Sequence, residues 1–174
     1  FNKLWGVMAC IKKFFKYCFT LCFFLVSGVS SLNISLGATS TGSVQVTATV
    51  ASSCSVTATT LAFGNYTLAQ LDATSTITAT CTNGTTYTVG LNAGTFAGAT
   101  TTTRRMSGPS SNSLNYFLYS DSTRTTNWGN TSGTWVSATG TGVAQVMTVY
   151  GRIPANQTAL IGNYSDTVTV TITF

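Results

Sequence analysis

Few residues in this 174-residue chain could carry acid–base chemistry. Its side-chain carboxylates are Asp72, Asp121 and Asp166, and the sequence contains no histidine and no glutamate. General acid–base catalysis draws mostly on histidine and on carboxylates, and a metal centre needs a comparable set of ligands. Three widely separated aspartates argue against both. We therefore predict that the protein is not an enzyme, and we expect no metal and no cofactor.

The N-terminal segment has the pattern of a secretory signal peptide. Lys12, Lys13 and Lys16 precede the apolar run Tyr17–Val26, and small and polar residues follow it. A basic region, an apolar region of about ten residues and a small-residue cleavage region define such a signal. A membrane anchor is the alternative, but the apolar run is shorter than the roughly 20 residues of a spanning helix.

The end of the signal segment has two candidates, because cleavage after Ser31 or after Ala38 fits the pattern. We assign residues 1–38 to the signal peptide and to any residues upstream of its start, for which Met8 is a candidate. An exported chain without a remaining apolar span should have no membrane contact after cleavage.

Charge and cysteine content both change once this segment is set aside. All four lysines lie in this segment. From residue 17 onward the chain has four arginines and three aspartates, so the net charge of that part is +1. A nucleic-acid surface needs clustered basic residues, and none is predicted. The cysteines that remain are Cys54 and Cys81, which in an exported chain should form one disulfide. Such a bond should stabilise the fold by about 3 kcal/mol in the chain-entropy model.

The region from residue 39 onward predicts strands and no helix. Its 34 threonines alternate with valine, isoleucine and alanine, and β-branched residues favour strands. The predicted strands are Ser43–Ala51, Cys54–Thr59, Thr74–Thr82, Thr86–Asn92, Leu114–Ser120, Gly142–Arg152 and Asp166–Phe174. The dipeptide Asn83-Gly84 predicts a hairpin, and Ala93–Thr103 is expected to be a long exposed loop. Short strands at this spacing indicate a β-sandwich.

Two segments alternate more regularly than the rest, and both should be half-buried strands. In Ser43–Ala51 one face carries Val44, Val46, Ala48 and Val50. In Asp166–Phe174 one face carries Val168, Val170, Ile172 and Phe174.

The second of these strands has no strand after it in the sequence. An immunoglobulin-type sandwich normally has a further strand at this point, so we expect an open edge and an apolar cleft. An extended segment of another chain can fill such a cleft, and the valine face of Ser43–Ala51 has the required spacing. Its burial could contribute roughly 6 to 9 kcal/mol before entropy is counted. The alternative is that Ser43–Ala51 is the first strand of a complete sandwich and fills its own cleft.

Other conspicuous residues have ordinary structural interpretations. The basic pair in Arg104-Arg105-Met106 is interpreted as a solvated or strand-edge feature in preference to a ligand site. Arg152 should pair with one of the aspartates, which the sequence does not specify. Trp128 and Trp135 could stack on sugars, but packing in the core or a loop is the preferred interpretation.

Six segments in the mature region have distinctive sequences in a fixed order: Ser53–Thr67 (SCSVTATTLAFGNYT), Leu71–Gly94, Thr102–Gly108 (TTRRMSG), Leu114–Asp121 (LNYFLYSD), Val149–Pro154 (VYGRIP) and Gly162–Phe174 (GNYSDTVTVTITF). Together they resemble the spore coat protein U domain family, which includes the major pilins of the archaic, or alternative, chaperone-usher pathway. The resemblance covers roughly residues 43–174.

The resemblance implies an all-β, incomplete immunoglobulin-like sandwich that lacks its last strand and is completed by donor-strand complementation. Residues 39–53 then form the N-terminal donor extension and residues 54–174 the pilin domain. Ser43–Ala51 matches the family's donor segment, Cys54 and Cys81 its disulfide cysteines, and Asp166–Phe174 the strand that lines the acceptor cleft.

The implied function is that of a pilus subunit in a Gram-negative bacterium. Such a subunit is exported through the periplasm to the cell surface, where it forms a homopolymer that supports attachment or biofilm formation. The implied partners are a periplasmic chaperone, an outer-membrane usher and a tip adhesin. The alternative is a monomeric secreted adhesive or carbohydrate-binding β-sandwich module, which would bind a ligand saturably and would not polymerise.

Overall fold

The computed structural model describes residues 37–174. The predicted signal peptide, residues 1–38, therefore lies outside the described residues except for its last two. The described part contains eight β-strands and one single-turn 3₁₀ helix, Pro109–Ser111. The strands are β1 Cys54–Ala58, β2 Leu71–Cys81, β3 Thr86–Leu91, β4 Arg104–Ser107, β5 Ser113–Tyr119, β6 Val136–Thr139, β7 Gln145–Ile153 and β8 Val170–Thr173. No helix in this part is long and apolar enough to cross a membrane.

The chain divides into two units with a boundary between Thr47 and Ala48. Residues 37–47, the described part of the first unit, are exposed and contain no helix or strand. The second unit, Ala48–Phe174, contains all eight strands.

Two antiparallel sheets make up the second unit. The larger has the strand order β1-β2-β7-β5-β4, and the smaller has the order β6-β3-β8. The register pairs Cys54 with Cys81 between β1 and β2, and Leu91 with Val170 between β3 and β8. Sequence neighbours β2 and β3 lie in different sheets, so the chain crosses between sheets as in a sandwich.

The core lies between the two sheets and follows the period-two burial expected of strands. In β5, Leu114, Tyr116 and Leu118 are buried while Asn115 is exposed. The buried apolar residues are Ile77, Ala79, Cys81, Tyr87, Val89, Leu91, Leu114, Tyr116, Leu118, Trp128, Val149 and Ile153. In β8, Val170 and Ile172 are half-buried, and the intervening Thr171 and Thr173 are exposed.

Most predicted strands are present with shifted ends, but two predicted strands need correction and two observed strands were not predicted. Ser43–Ala51 forms no strand, because a strand needs a neighbouring strand for its backbone groups and no ladder among the described residues includes this segment. Asp166–Phe174 is a regular strand only over Val170–Thr173. Strands β4 and β6 were not predicted, since both are only four residues long and β4 begins with two arginines.

The hairpin prediction at Asn83-Gly84 is wrong, although the turn itself forms. Gly84 has φ +84°, and the Thr85 N–H donates to the Thr82 carbonyl at 3.0 Å. The strands on either side, β2 and β3, do not pair with each other. The turn residues Gly84 and Thr85 bond instead to the backbone of Gly140. Its N–H donates to Thr85 and its carbonyl accepts from Gly84, at 2.7 and 2.9 Å.

Candidate functional site: an open cleft beside β8

A cleft of about 500 Å³ opens between the two sheets where the smaller sheet ends at β8. Its apolar lining comes from both sheets and from the segment after β1, and includes Leu61, Phe63, Ile77, Leu118, Val168 and Val170. Serine, threonine and aspartate side chains complete the lining, and an exposed groove with this much apolar surface is a candidate place for another molecule to pack. We call it the β8 cleft.

The predicted acceptor residues divide between the β8 cleft and its rim. Val168 and Val170 line the cleft. Ile172 is half-buried and packs against the core without lining the cleft. Phe174 is 56% exposed. The structure thus brings two of the four predicted residues together at this site.

The outer edge of β8 is available for pairing. Within residues 48–174, β8 forms a ladder only with β3. Its other edge therefore presents backbone N–H and C=O groups along the β8 cleft. An edge of this kind is a template for an added strand.

The predicted donor residues are exposed to solvent. Val44, Val46 and Val50 are 87%, 88% and 82% exposed, and Ala48 is exposed as well. Nearly all of the apolar surface of these three valines is therefore in water, and its burial in another molecule would be favourable.

The predicted disulfide joins Cys54 and Cys81, with an S–S distance of 2.04 Å. It links directly paired residues of β1 and β2, at the point where residues 39–53 meet the sandwich. Neither cysteine lines the β8 cleft. The bond therefore fixes the start of β1 against the end of β2.

A polar cluster lies at one end of the β8 cleft, and sequence reasoning did not find it. The Asp166 carboxylate accepts hydrogen bonds from the Thr95 N–H and hydroxyl, both at 2.8 Å, and from the Tyr116 hydroxyl at 2.6 Å. Burial alone would raise the pKa of Asp166, but these bonds and one from the Thr167 N–H outweigh burial and hold it below its usual value. Burial and the bond to Asp166 raise the pKa of Tyr116.

The solvated interpretation of Arg104 is wrong. Arg104 lies in edge strand β4, but its side chain is 0% exposed. The guanidinium donates to four backbone carbonyls: Leu91 at 2.9 Å, Asn92 at 2.8 Å, Thr101 at 2.7 Å and Trp128 at 2.7 Å. Burial lowers the pKa of Arg104 to about 10, so it remains charged at neutral pH. Arg104 therefore fastens the end of β3 to the loops around it.

The remaining conspicuous residues lie apart from the β8 cleft. Arg152 pairs with Asp72 through two hydrogen bonds of 2.8 and 2.9 Å, which answers the question that the sequence left open. Trp128 is buried and donates from Nε1 to the Val89 carbonyl at 2.8 Å, whereas Trp135 is 39% exposed. Among residues 37–174 there is no group of three or more potential metal ligands of the His, Cys, Asp or Glu type.

The cleft residues missed by sequence reasoning had little signal of their own. Leu61 and Phe63 follow β1 in a stretch without regular alternation, and Asp166 reads as the polar start of a strand. Their common position depends on which strands pair, and a single sequence does not specify pairing. The segments that contain them, Ser53–Thr67 and Gly162–Phe174, were nevertheless among the six that carry the family resemblance.

Comparison with known proteins gives a solved structure of the same architecture. The chain resembles a chain of the chaperone–tip adhesion subunit pre-assembly complex of the archaic chaperone-usher Csu pili of Acinetobacter baumannii. The TM-score is 0.55 and the sequence identity 27%, over 72% of this chain. This chain spans 41% of the length of that protein. The predicted all-β sandwich is confirmed, because the two antiparallel sheets resemble the fold of a chaperone-usher pilus subunit.

Sequence comparisons agree with the structural one. A curated relative, Protein U of Myxococcus xanthus, is 37% identical over 154 residues, which cover 79% of this chain and 86% of the relative. The Spore Coat Protein U domain model matches residues 40–171, nearly the whole of the described part. The chain therefore belongs to the spore coat protein U domain family.

Proposed function

We propose that this chain is a structural pilin subunit that polymerises into a surface fibre by donor-strand exchange. Residues 43–51 of one subunit form a strand in the β8 cleft of the next. The observation that carries the proposal is the apolar cleft of about 500 Å³ beside the open edge of β8, in a chain whose own valine segment is exposed. Family membership and the likeness to a chaperone-usher pilus subunit support it.

The chemistry of the two surfaces is complementary. The edge of β8 offers main-chain hydrogen bonds, and the cleft beside it offers apolar pockets for alternate side chains. In the segment 43–51 the alternate residues Val44, Val46, Ala48 and Val50 are apolar, and the residues between them are Gln45, Thr47 and Thr49. Burial of the apolar face would contribute roughly 6 to 9 kcal/mol before the entropy of ordering the segment is counted. The main-chain ladder adds to that, so a long-lived joint is expected.

Assembly of this kind requires no covalent step. A subunit with an open cleft leaves part of its apolar surface in water, and this surface is covered when a neighbour supplies the strand. The disulfide between Cys54 and Cys81 holds the root of the extension, so the donor segment moves about a fixed point. Polymerisation then needs no nucleotide.

The proposal includes the partners and location of a chaperone-usher subunit. A periplasmic chaperone covers the β8 cleft until an outer-membrane usher presents the next subunit, and a separate tip adhesin ends the fibre. The structural relative in Acinetobacter baumannii is described as part of a chaperone–tip adhesion subunit complex, which supports such partners. The homopolymer lies on the cell surface, where it serves attachment or biofilm formation.

Deletion of residues 39–51 tests the proposal. Subunits without this segment should still export and fold but should form no fibres by electron microscopy and no heat-resistant oligomers on gels. A matched control changes only the opposite face, with Thr47 and Thr49 replaced by serine, and should polymerise normally. Fibres from the deletion variant would contradict the proposal. A soluble monomer that binds a carbohydrate saturably would favour the adhesive-module alternative instead.

A further inference from the structure

One wall of the β8 cleft is the segment 166–169, which leads into β8. This wall is not held by a regular strand ladder. Ser165 forms an isolated bridge with Ser107, with N–H to carbonyl distances of 2.8 and 3.0 Å, and β8 begins only at Val170. Between these points lie residues 166–169, of which Asp166, Thr167 and Val168 line the cleft. The position of this wall therefore depends on contacts other than a continuous ladder.

One carboxylate supplies several of those contacts, beside a backbone hydrogen bond of 3.1 Å from the Asn92 N–H to the Thr169 carbonyl. Asp166 Oδ1 accepts from the Thr95 N–H, the Thr95 hydroxyl and the Thr167 N–H, each at 2.8 Å. Its Oδ2 accepts from the Tyr116 hydroxyl at 2.6 Å. Bonds to an ionised acceptor are roughly twice as strong as neutral ones. Asp166 thus ties the wall to the loop after β3 and to β5 across the cleft.

The other end of the wall is tied to the same loop by Asn92. Its Oδ1 accepts from the Gly94 N–H at 3.0 Å and from the Thr169 N–H at 2.8 Å. Gly94 has φ +87°, and a Cβ at this position would overlap the Asp166 carboxylate. Only glycine combines that backbone conformation with the space the carboxylate needs.

The loop is itself anchored in the core. Arg104 donates to the carbonyls of Leu91 and Asn92 from a fully buried position, so the point where the loop leaves β3 is fixed. We call the set Asn92, Thr95, Tyr116 and Asp166 the Asp166 bracket. It connects the anchored loop, the wall of the cleft and a tyrosine whose ring also lines the cleft.

We propose that Asp166 is a positioning residue for subunit assembly: the Asp166 bracket holds the wall of the β8 cleft open as the chaperone gives way, so that a donor segment can enter. This inference rests on the proposed function, and it assigns to the Asp166 bracket control of the rate at which the cleft captures a donor segment. Closure of an unoccupied apolar cleft lowers the free energy, because closure removes apolar surface from water. Association is slow when binding first requires a conformational change, so loss of the bracket should slow donor capture.

A peptide-capture experiment tests this. The full subunit carries Val46→Asp in its own extension to prevent self-assembly, and the probe is a fluorescent synthetic peptide of residues 39–53. Stopped-flow anisotropy gives the capture rate and the dissociation rate separately. Asp166→Ala should slow capture about tenfold or more while the dissociation rate changes far less, since hydrogen bonds to a charged group are worth about one factor of ten each.

Two further variants keep the test decisive. Asp166→Asn retains an acceptor for Thr95 and Thr167, so its capture rate should lie between those of Asp166→Ala and the unsubstituted residue. Tyr116→Phe keeps the ring in the cleft and removes only the bond to Oδ2, so it gives a measurable, smaller slowing even if Asp166→Ala fails to fold. The matched control is Asp121→Ala, since Asp121 also accepts from nearby threonines but does not line the cleft.

The outcomes separate this inference from the proposed function. Slow capture by the Asp166 and Tyr116 variants, with normal capture by Asp121→Ala, supports the inference. Capture at the unsubstituted rate by both Asp166→Ala and Tyr116→Phe overturns the inference and leaves the proposed function standing. Absence of capture by the subunit with an intact Asp166 bracket overturns both.

Discussion

Replacing Val46 by aspartate places a carboxylate on the face of the extension that is proposed to enter the β8 cleft. In the subunit structure Val46 is 88% exposed, so the change should leave the fold of the single subunit unaffected. In the joint, the same side chain would lie against an apolar lining that includes Leu61, Phe63 and Val170. The variant therefore acts on assembly and not on folding.

The size of the effect follows from two losses. Burial of the Val46 side chain would contribute about 1.5 to 3 kcal/mol to the joint, and Val46→Asp loses this contribution. An unpaired carboxylate entering an apolar cleft avoids the larger cost of burying its charge by taking up a proton. Because an aspartate has a pKa of about 3.9, protonation at pH 7 costs about 4 kcal/mol. The sum of about 5 to 7 kcal/mol corresponds to a joint weakened more than a thousandfold.

The assay compares Val46→Asp with Thr47→Asp, which adds the same charge at the neighbouring residue on the opposite face. Cells or purified subunits are examined by electron microscopy and by the ladder of heat-resistant oligomers on gels. Val46→Asp should abolish fibres and leave the complex with the chaperone intact, while Thr47→Asp should assemble with less than about a tenfold change. Normal fibres from Val46→Asp, or an equal block by Thr47→Asp, would refute the reasoning.

Two further predictions concern the scaffold. Arg104→Ala leaves four backbone carbonyls without their buried donor, so the free energy of unfolding should fall by about 3 kcal/mol or more in a denaturant titration; a loss below about 1 kcal/mol would contradict this. Asp72→Asn should cost no more than about 1 kcal/mol at neutral pH, because its pair with Arg152 is partly exposed. The hydrogen bond from Arg152 lowers the pKa of Asp72, so this contribution is present above the ordinary carboxyl pKa and is lost as the pH falls through the lower folded value. Equal stability differences at neutral pH and in strong acid would show that the pair does not act in this way.

The strand composition and the sandwich could be predicted because alternation is a local property. In β8 the half-buried Val170 and Ile172 and the exposed Thr171 and Thr173 follow the predicted pattern. The disulfide was predictable because Cys54 and Cys81 are the two cysteines outside the segment predicted to be a signal peptide. Strand pairing was not predictable, and the Asn83-Gly84 turn shows why: local turn chemistry specifies a reversal of the chain but not which sheet the next strand joins.

The site was predictable on its apolar side only. Alternation placed Val168 and Val170 on one face of an extended segment, and both line the β8 cleft. Asp166 was missed because its role depends on Thr95 and Tyr116, which are distant in sequence. Arg104 was misinterpreted because an arginine is almost never fully buried unless its donors are satisfied, and its four acceptors become apparent only in the folded chain.

The central claim is that residues 43–51 of one subunit complete the β8 cleft of another. A cryo-electron microscopy reconstruction of the fibre tests it most directly. The account predicts continuous density for this segment as a strand paired with the open edge of β8 of the adjacent subunit, with Val44, Val46 and Val50 pointing into the cleft. A cleft filled by the subunit's own segment, or fibres held together by contacts that leave the β8 cleft open, would contradict it.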